Sequence, residues 1–324
     1  MLATTMPLYS AHDLRAALRS ADPRQGPPAI ERLDRPLACF PSLGRLEVQV
    51  GTPWARVGER LADELSTDAR AFAAAFAPLG QTVGAAVDRL PPLPDGLPFS
   101  RAVESLALVT TDGELRCASR TRHPELFRLV LGGHGAIAVP YSVTLSIPAL
   151  LAALRDAEPL EIYAPSGPAS PATLQRLRFY LPPARLHEWL AAARQAADEL
   201  DSPLREIHAR RARPGSESFL DAVPAERVMV DLCVPHAVTA ESRARVAQAH
   251  RAWIGHALAL QGNFDLSTGF DASRAQVEAG YPRFSAFLAE ARRLDPPGRL
   301  AGRWLQHYVA LFAHATAHAA RAHP

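Results

Sequence analysis

Between residues 102 and 147 the chain sets down six features in a fixed order, and this block limits its fold more than any other stretch. Ala102–Thr110 reads as a strand. Asp112-Gly113 follows, then a second alternating strand, and Asp-Gly between two such runs is a strong hairpin signal. His123-Pro124-Glu125-Leu126-Phe127 begins a short helix. Gly132-Gly133-His134-Gly135 then makes a turn, and an apolar run from Ala136 to Ile147 closes the block as a third strand. Glycines placed this way let backbone approach a ligand or another strand with no Cβ between them.

The rest of the chain sets outer bounds. A length of 324 residues suits two domains, and 48% apolar with 21% charged residues describes an ordinary soluble globule. A net charge of +2 gives no case for nucleic acid or an anionic membrane surface. No apolar run is long enough for a membrane span, and the first residues lack the pattern of a secretory leader. Cys39, Cys117 and Cys233 are widely spaced and odd in number, which predicts reduced thiols and a cytoplasmic protein. All 35 basic residues are arginine. Without lysine, Schiff-base chemistry and a Walker-type phosphate loop are both excluded. No Gly-x-Ser-x-Gly elbow supports a hydrolase.

Elements follow from periodicity and caps. Ser10 caps a first helix to Ser20, and the Pro-rich interval Pro23–Pro41 reads as irregular. Arg45–Val50 alternates as a strand, Trp54–Leu65 is a helix behind Pro53, and residues 66–80 are helical. Pro148–Ser170 is a connection holding a short helix. Leu174–Leu181, Leu204–Arg210 and Arg227–Val234 read as strands. Pro183–Glu199, Thr239–Leu260, Tyr281–Leu294 and Arg303–Arg321 read as helices.

Several of these segments carry a resemblance in the same chain order. Arg45–Leu61 (RLEVQVGTPWARVGERL), Gly80–Val87 (GQTVGAAV), the block ending at Ile147 and the tail Leu260–Tyr308 are similar to stretches of the FAD-linked oxidases of the vanillyl-alcohol oxidase type. The resemblance covers most of the chain. It implies an α+β protein with a two-domain PCMH-type FAD-binding fold: residues 1–147 plus about 280–324 as the flavin domain, and about 148–279 as a substrate or cap domain of antiparallel sheet plus helices. It further implies FAD, non-covalent in this chain for want of an attachment residue, and the oxidation of a small alcohol-like molecule by hydride transfer to flavin. Thr52, Trp54, Thr82, Gly84, Gly132, Gly133, Gly135 and Ile137 would then line the cofactor. Asp265, Asp271 and Tyr281 would stand on the substrate side as catalytic residues.

Each of these residues also has a plainer reading. The glycines suit a turn feeding a strand, Trp54 and Tyr281 suit packing, and Asp265 and Asp271 suit loop caps. No metal site is read from the sequence: His307, His314 and His318 share a helical face, but no carboxylate or cysteine joins them locally. The chain also departs from the family's pattern. The interval Asp22–Leu43, where the family has a Gly-rich phosphate loop, contains only Gly26, and Gly84 is followed by Ala85. The alternative function is therefore a flavin-free relative acting as a binding module, a partner subunit of another protein, or a cofactor-independent biosynthetic enzyme. Either way the ligand is a small molecule.

Ala85–Ser100 contains no His, Cys or Tyr to which a flavin could be attached. The denatured chain is accordingly expected to have the mass of its sequence. A flavin-sized increment in its mass spectrum would overturn this expectation.

Overall fold

A computed structural model describes residues 8–21, 30, 33–158, 161–162, 173–199, 204 and 206–319. In chain order the elements are α1 (Ala11–Ser20), β1 (Pro36–Phe40), β2 (Arg45–Gln49), α2 (Trp54–Leu65), α3 (Ala69–Phe76), α4 (Val83–Arg89), β3 (Val103–Val109), β4 (Leu115–Ser119), α5 (Pro124–Val130), β5 (Val139–Ser146) and α6 (Ile147–Arg155). They continue with β6 (Glu161–Ile162), β7 (Thr173–Leu181), α7 (Leu186–Glu199), β8 (Glu206–Ala212), β9 (Arg227–His236), α8 (Ala240–Ala259), β10 (Asn263–Phe264), α9 (Arg274–Gly280), α10 (Phe284–Leu294) and α11 (Arg303–Ala319). The protein is mixed α+β, and every strand pairing among the described residues is antiparallel.

Two compact units divide the chain. The first holds Met1–Ala157, Ser216–Asp221 and Ala286–Ala310; the second holds Glu158–Gly215, Ala222–Ser285 and Leu311–Pro324. The boundaries read from sequence at 147 and about 280 therefore fall at 157 and 286, and Leu311–Pro324 goes with the second unit.

The first unit is built on a sheet of order β1-β2-β5-β3-β4. Its registers set Leu46 against Leu145, Val48 against Val143 and Leu106 against both Val143 and Ala118. All are fully buried, so alternate residues form one apolar face. Helices α4 and α6 lie against β5. Trp54, at the start of α2, sits among Phe72, Phe76 and Phe99, with ring centroids 5.2 Å from Phe76 and 5.9 Å from Phe99. The Asp112-Gly113 turn takes its expected place between β3 and β4, with Gly113 at φ +76°.

The second unit's sheet has the order β10-β7-β9-β8-β6. Leu177, Phe179 and Leu181 of β7, Val230, Leu232 and Val234 of β9, and Ile207 and Ala209 of β8 are buried and, by strand alternation, share one face. Helices α7 and α8 pack together, and the Trp189 indole donates to the Trp253 carbonyl at 3.3 Å. Phe179 meets Trp189 at 4.6 Å and His250 at 5.7 Å.

Local signals explain most elements. Ser10 forms a capping box with Asp13, and Thr239 caps α8. The reading of Pro23–Pro41 as irregular is corrected over its described end, because Pro36–Phe40 is a strand at the sheet edge. A proline at the first position of an edge strand costs no ladder bond. Residues 274–280 form a helix where no element was expected, begun by a capping box of Ser273 and Gln276.

Candidate functional site

The residues expected around a flavin do meet in the first unit, at the junction of β2, α2 and α4. The Val83 N–H donates to the Thr52 carbonyl at 3.0 Å, and the Gly84 N–H to the Val50 carbonyl at 2.7 Å. The Thr82 hydroxyl accepts from the Ala85 N–H at 3.3 Å. These are the donors that a helix start offers to an anion. Here the chain itself uses all three. Gly84 permits the approach, since a Cβ there would lie 2.8 Å from the Val50 oxygen. Thr52 is buried, its own N–H donates to the Gln49 carbonyl at 3.0 Å, and Trp54 is a member of the aromatic cluster.

The glycine turn follows the same pattern. The Gly132 N–H donates to the Val87 carbonyl at 2.9 Å, the Gly133 N–H to the Val130 carbonyl at 3.0 Å, and the Gly135 N–H to the Asp88 carboxylate. Gly132 has φ +69°, and a Cβ on Gly133 would stand 2.2 Å from the Leu129 oxygen. Ile137 is buried in the core. His134 stacks on Trp304 with centroids 4.5 Å apart. An FAD diphosphate would thus find none of these donors free, because every one is engaged by protein oxygen. Two open grooves of the first unit, about 820 and 650 Å³, are lined by other residues, and none of the eight expected cofactor contacts faces either.

The three residues expected to be catalytic lie in the second unit with separate partners. The Asp265 carboxylate accepts from the Ser267 N–H at 2.6 Å, as a loop cap, and interacts electrostatically with Arg178 and Tyr180. Asp271 holds the buried His250, Oδ2 to Nδ1 2.8 Å. The Tyr281 hydroxyl donates to the Phe264 carbonyl. His314 and His318 fall where side chains lie outside the described set.

A constellation not read from the sequence stands on the second sheet. Opposite the apolar face that α7 and α8 cover, alternate residues are polar: Arg176, Arg178 and Tyr180 on β7, Asp231 and Cys233 on β9, Glu206, His208 and Arg210 on β8. Register places Arg178 directly against Asp231, and His208 against Asp231 on the other side. The Arg178 guanidinium grips the carboxylate in two-point fashion, Nε–Oδ1 2.7 Å and Nη2–Oδ2 2.9 Å, with both side chains 7% exposed. Burial alone would raise the Asp231 carboxyl; Arg178 outweighs it and holds the group below the usual range. Burial also raises the Tyr180 phenol, which keeps its proton and can donate it.

Arg210 is different. It is 7% exposed, and among the described residues its buried Nε has no hydrogen-bond partner and no carboxylate forms an ion pair with it. Burial and the neighbouring Arg178 charge lower its pKa, against the weaker pull of Asp231 and Glu158. The signal for this face was present in the alternation R-x-R-x-Y and E-x-H-x-R, which marks polar side chains on a single side of strands whose other side is core.

The chain matches no model of a known protein family, and no curated protein is significantly similar to it.

Asp88 gives the glycine-turn region of the first unit a pH dependence. It is half-buried on α4, and burial pushes its carboxyl up to about 7 against the opposing pull of Arg89 and the Gly135 N–H. A carboxyl raised above its unfolded value of about 3.9 holds a proton in the fold that the unfolded chain has lost. Its contribution to stability is therefore intact at low pH and declines as pH rises toward 7. Asp88→Asn keeps an acceptor for Gly135 and removes the titration. The variant is expected to match the wild type near pH 4 and to exceed it by roughly 2–4 kcal/mol at pH 8, since each tenfold change in proton affinity is worth about 1.4 kcal/mol. Urea unfolding across that range measures the difference.

Proposed function

We propose that this chain is a flavin-free relative of the FAD-linked oxidases of PCMH type, and that it handles a small anionic molecule on the polar face of its second sheet. The observation that carries this reading is Arg210, a buried guanidinium with an unpartnered Nε and no ion-paired carboxylate among the described residues. A buried charge of this kind is costly, and a ligand carboxylate or phosphate would satisfy it. Arg178 cannot do the same work, since Asp231 already fills its fork. Tyr180, held protonated, supplies a neutral donor on the same face, and His208 stands one alternate position along β8 from Arg210. A two-point carboxylate grip by Arg210 with a nearby proton donor suits recognition of a small organic acid, or its cofactor-independent protonation.

The oxidase ancestry draws its support from the co-linear motifs, the all-antiparallel sheets and the discontinuous division of the chain. The engaged donors of α4 and the glycine turn argue against a retained diphosphate cradle. Each charge-assisted hydrogen bond withheld from a phosphate costs about 1.5–3 kcal/mol. FAD added to the purified chain is therefore expected to leave flavin fluorescence and absorbance unchanged at micromolar protein. A sub-micromolar dissociation constant would return the flavin-linked oxidation of an alcohol-like substrate to first place.

Arg210 can be tested directly. Replacing an unpaired buried cation with an apolar residue of similar length removes a cost, so Arg210→Met is expected to raise the melting temperature of the ligand-free protein. Oxalate, malonate and inorganic phosphate serve as probes. At least one should stabilise the wild type, and the variant should lose about tenfold or more in its affinity, or ~1.4 kcal/mol. A variant that melts several degrees lower, with probe binding unaltered, would make Arg210 a structural residue and sink the proposal.

A further inference from the structure

Glu206, His208 and Cys233 meet on this sheet in a way that the anion reading does not use. Residues two apart on a strand share a face, so Glu206 and His208 of β8 point together. The β8–β9 register sets Cys233 directly across from Glu206 and diagonal to His208. One donor atom from each side chain lies within 4.8 Å of the other two, and His208 Nε2 is 3.0 Å from Glu206 Oε2. Cys233 is 4% exposed. The second imidazole nitrogen of His208, Nδ1, is buried and has no hydrogen-bond partner among the described residues. A strand histidine on a polar face, grouped with a carboxylate and a buried thiol and with one buried nitrogen unsatisfied among the described residues, is poorly explained by packing alone.

We propose that Glu206, His208 and Cys233 form a cation site of the zinc class, with a fourth position left for water or a small ligand. The donor set supports the choice. Sulfur, imidazole nitrogen and carboxylate oxygen together suit Zn²⁺ or Co²⁺ and suit Mg²⁺ or Ca²⁺ poorly. Tetrahedral Zn²⁺ with bonds of about 2.0–2.3 Å draws its donors to roughly 3.4–3.6 Å from one another. Thiolate and carboxylate together neutralise a divalent ion. Burial pushes the Cys233 thiol up, with Glu206 and Asp231 adding to the rise, and the charge of Arg176, opposite it on β7, pulls the other way. On binding, the Cys233 S–H bond breaks, a sulfur–metal bond forms and the proton leaves to solvent, so affinity increases with pH. The proposal stands apart from the role given to Arg210, because none of its three ligands is that residue.

The test uses the full chain, stripped of metal with a chelator and titrated with Co²⁺ near neutral pH. One equivalent should bind, with a near-ultraviolet thiolate-to-cobalt band and intense visible bands of tetrahedral cobalt, and Zn²⁺ should displace both. Cys233→Ser should abolish the thiolate band, and His208→Gln should weaken binding at least about tenfold. Cys39→Ser and Cys117→Ser should change neither. Because a variant at buried Cys233 can lose its fold, X-ray absorption of the zinc-loaded wild type gives a second reading, with one sulfur expected at about 2.3 Å. No thiolate band at millimolar Co²⁺, a band that survives Cys233→Ser, or a zinc shell without sulfur would each overturn the site. A cobalt spectrum of octahedral type, insensitive to His208→Gln, would do so as well, by moving the metal to other side chains.

Discussion

Two backbone hydrogen bonds at the start of α4 govern the first unit. The Val83 and Gly84 amides reach the Thr52 and Val50 carbonyls, so the helix is seated on the strand end by main chain rather than by side chains. From that seating the glycine turn follows, because Gly132 then bonds to Val87 and Gly135 to Asp88 on the same helix. A glycine pattern reports that something passes close to the backbone. It does not report what passes. Here the passing groups are carbonyls of the chain, and the pattern that elsewhere cradles phosphate serves to dock a helix.

The second unit divides its sheet differently. One face is close-packed under α7 and α8, and the other carries three arginines, a histidine, a tyrosine, two acids and a thiol. The Arg178–Asp231 pair offsets its own desolvation through two short, charge-assisted bonds. Hydrophobic residues of similar volume would stabilise the sheet at least as well. Retaining charge on that face is therefore an argument about ligands, and Arg210, which has no ion-paired carboxylate among the described residues, makes it most directly.

Much of the architecture was legible in the sequence, wherever a local cause acts alone. Helix Trp54–Leu65 has the limits its periodicity gave, Ser10 and Thr239 are caps, and β3 and β4 flank the Asp-Gly turn. Strand β1 was hidden because propensity counts proline against a strand, while an edge position tolerates it. Two-residue β10 is too short for any periodicity and exists only through pairing with Tyr180 and Phe179. At the site, individual residue types were visible but their partners were not. Asp271 drew notice as an isolated acid, yet the histidine it holds lies 21 residues earlier on α8. Arg178 and Asp231 are separated by 53 residues, and only the register of β7 on β9 makes them a pair.

The outer strand of the first sheet has a bearing on how copies of this chain meet in a crowded solution. β1 is apolar, with Leu37 and Phe40 exposed, and no strand among the described residues pairs with its outer side; an edge of that kind is a template on which a foreign strand can add. Pro36 begins it, its pairing with β2 is irregular between Pro36 and Ala38, and Pro41 begins the single 3₁₀ turn that follows. Proline lacks the N–H that an incoming strand needs, and the irregularity spoils the flat run of groups on which it would align. The prolines that make this strand hard to read also blunt it as a seed for fibrous self-association.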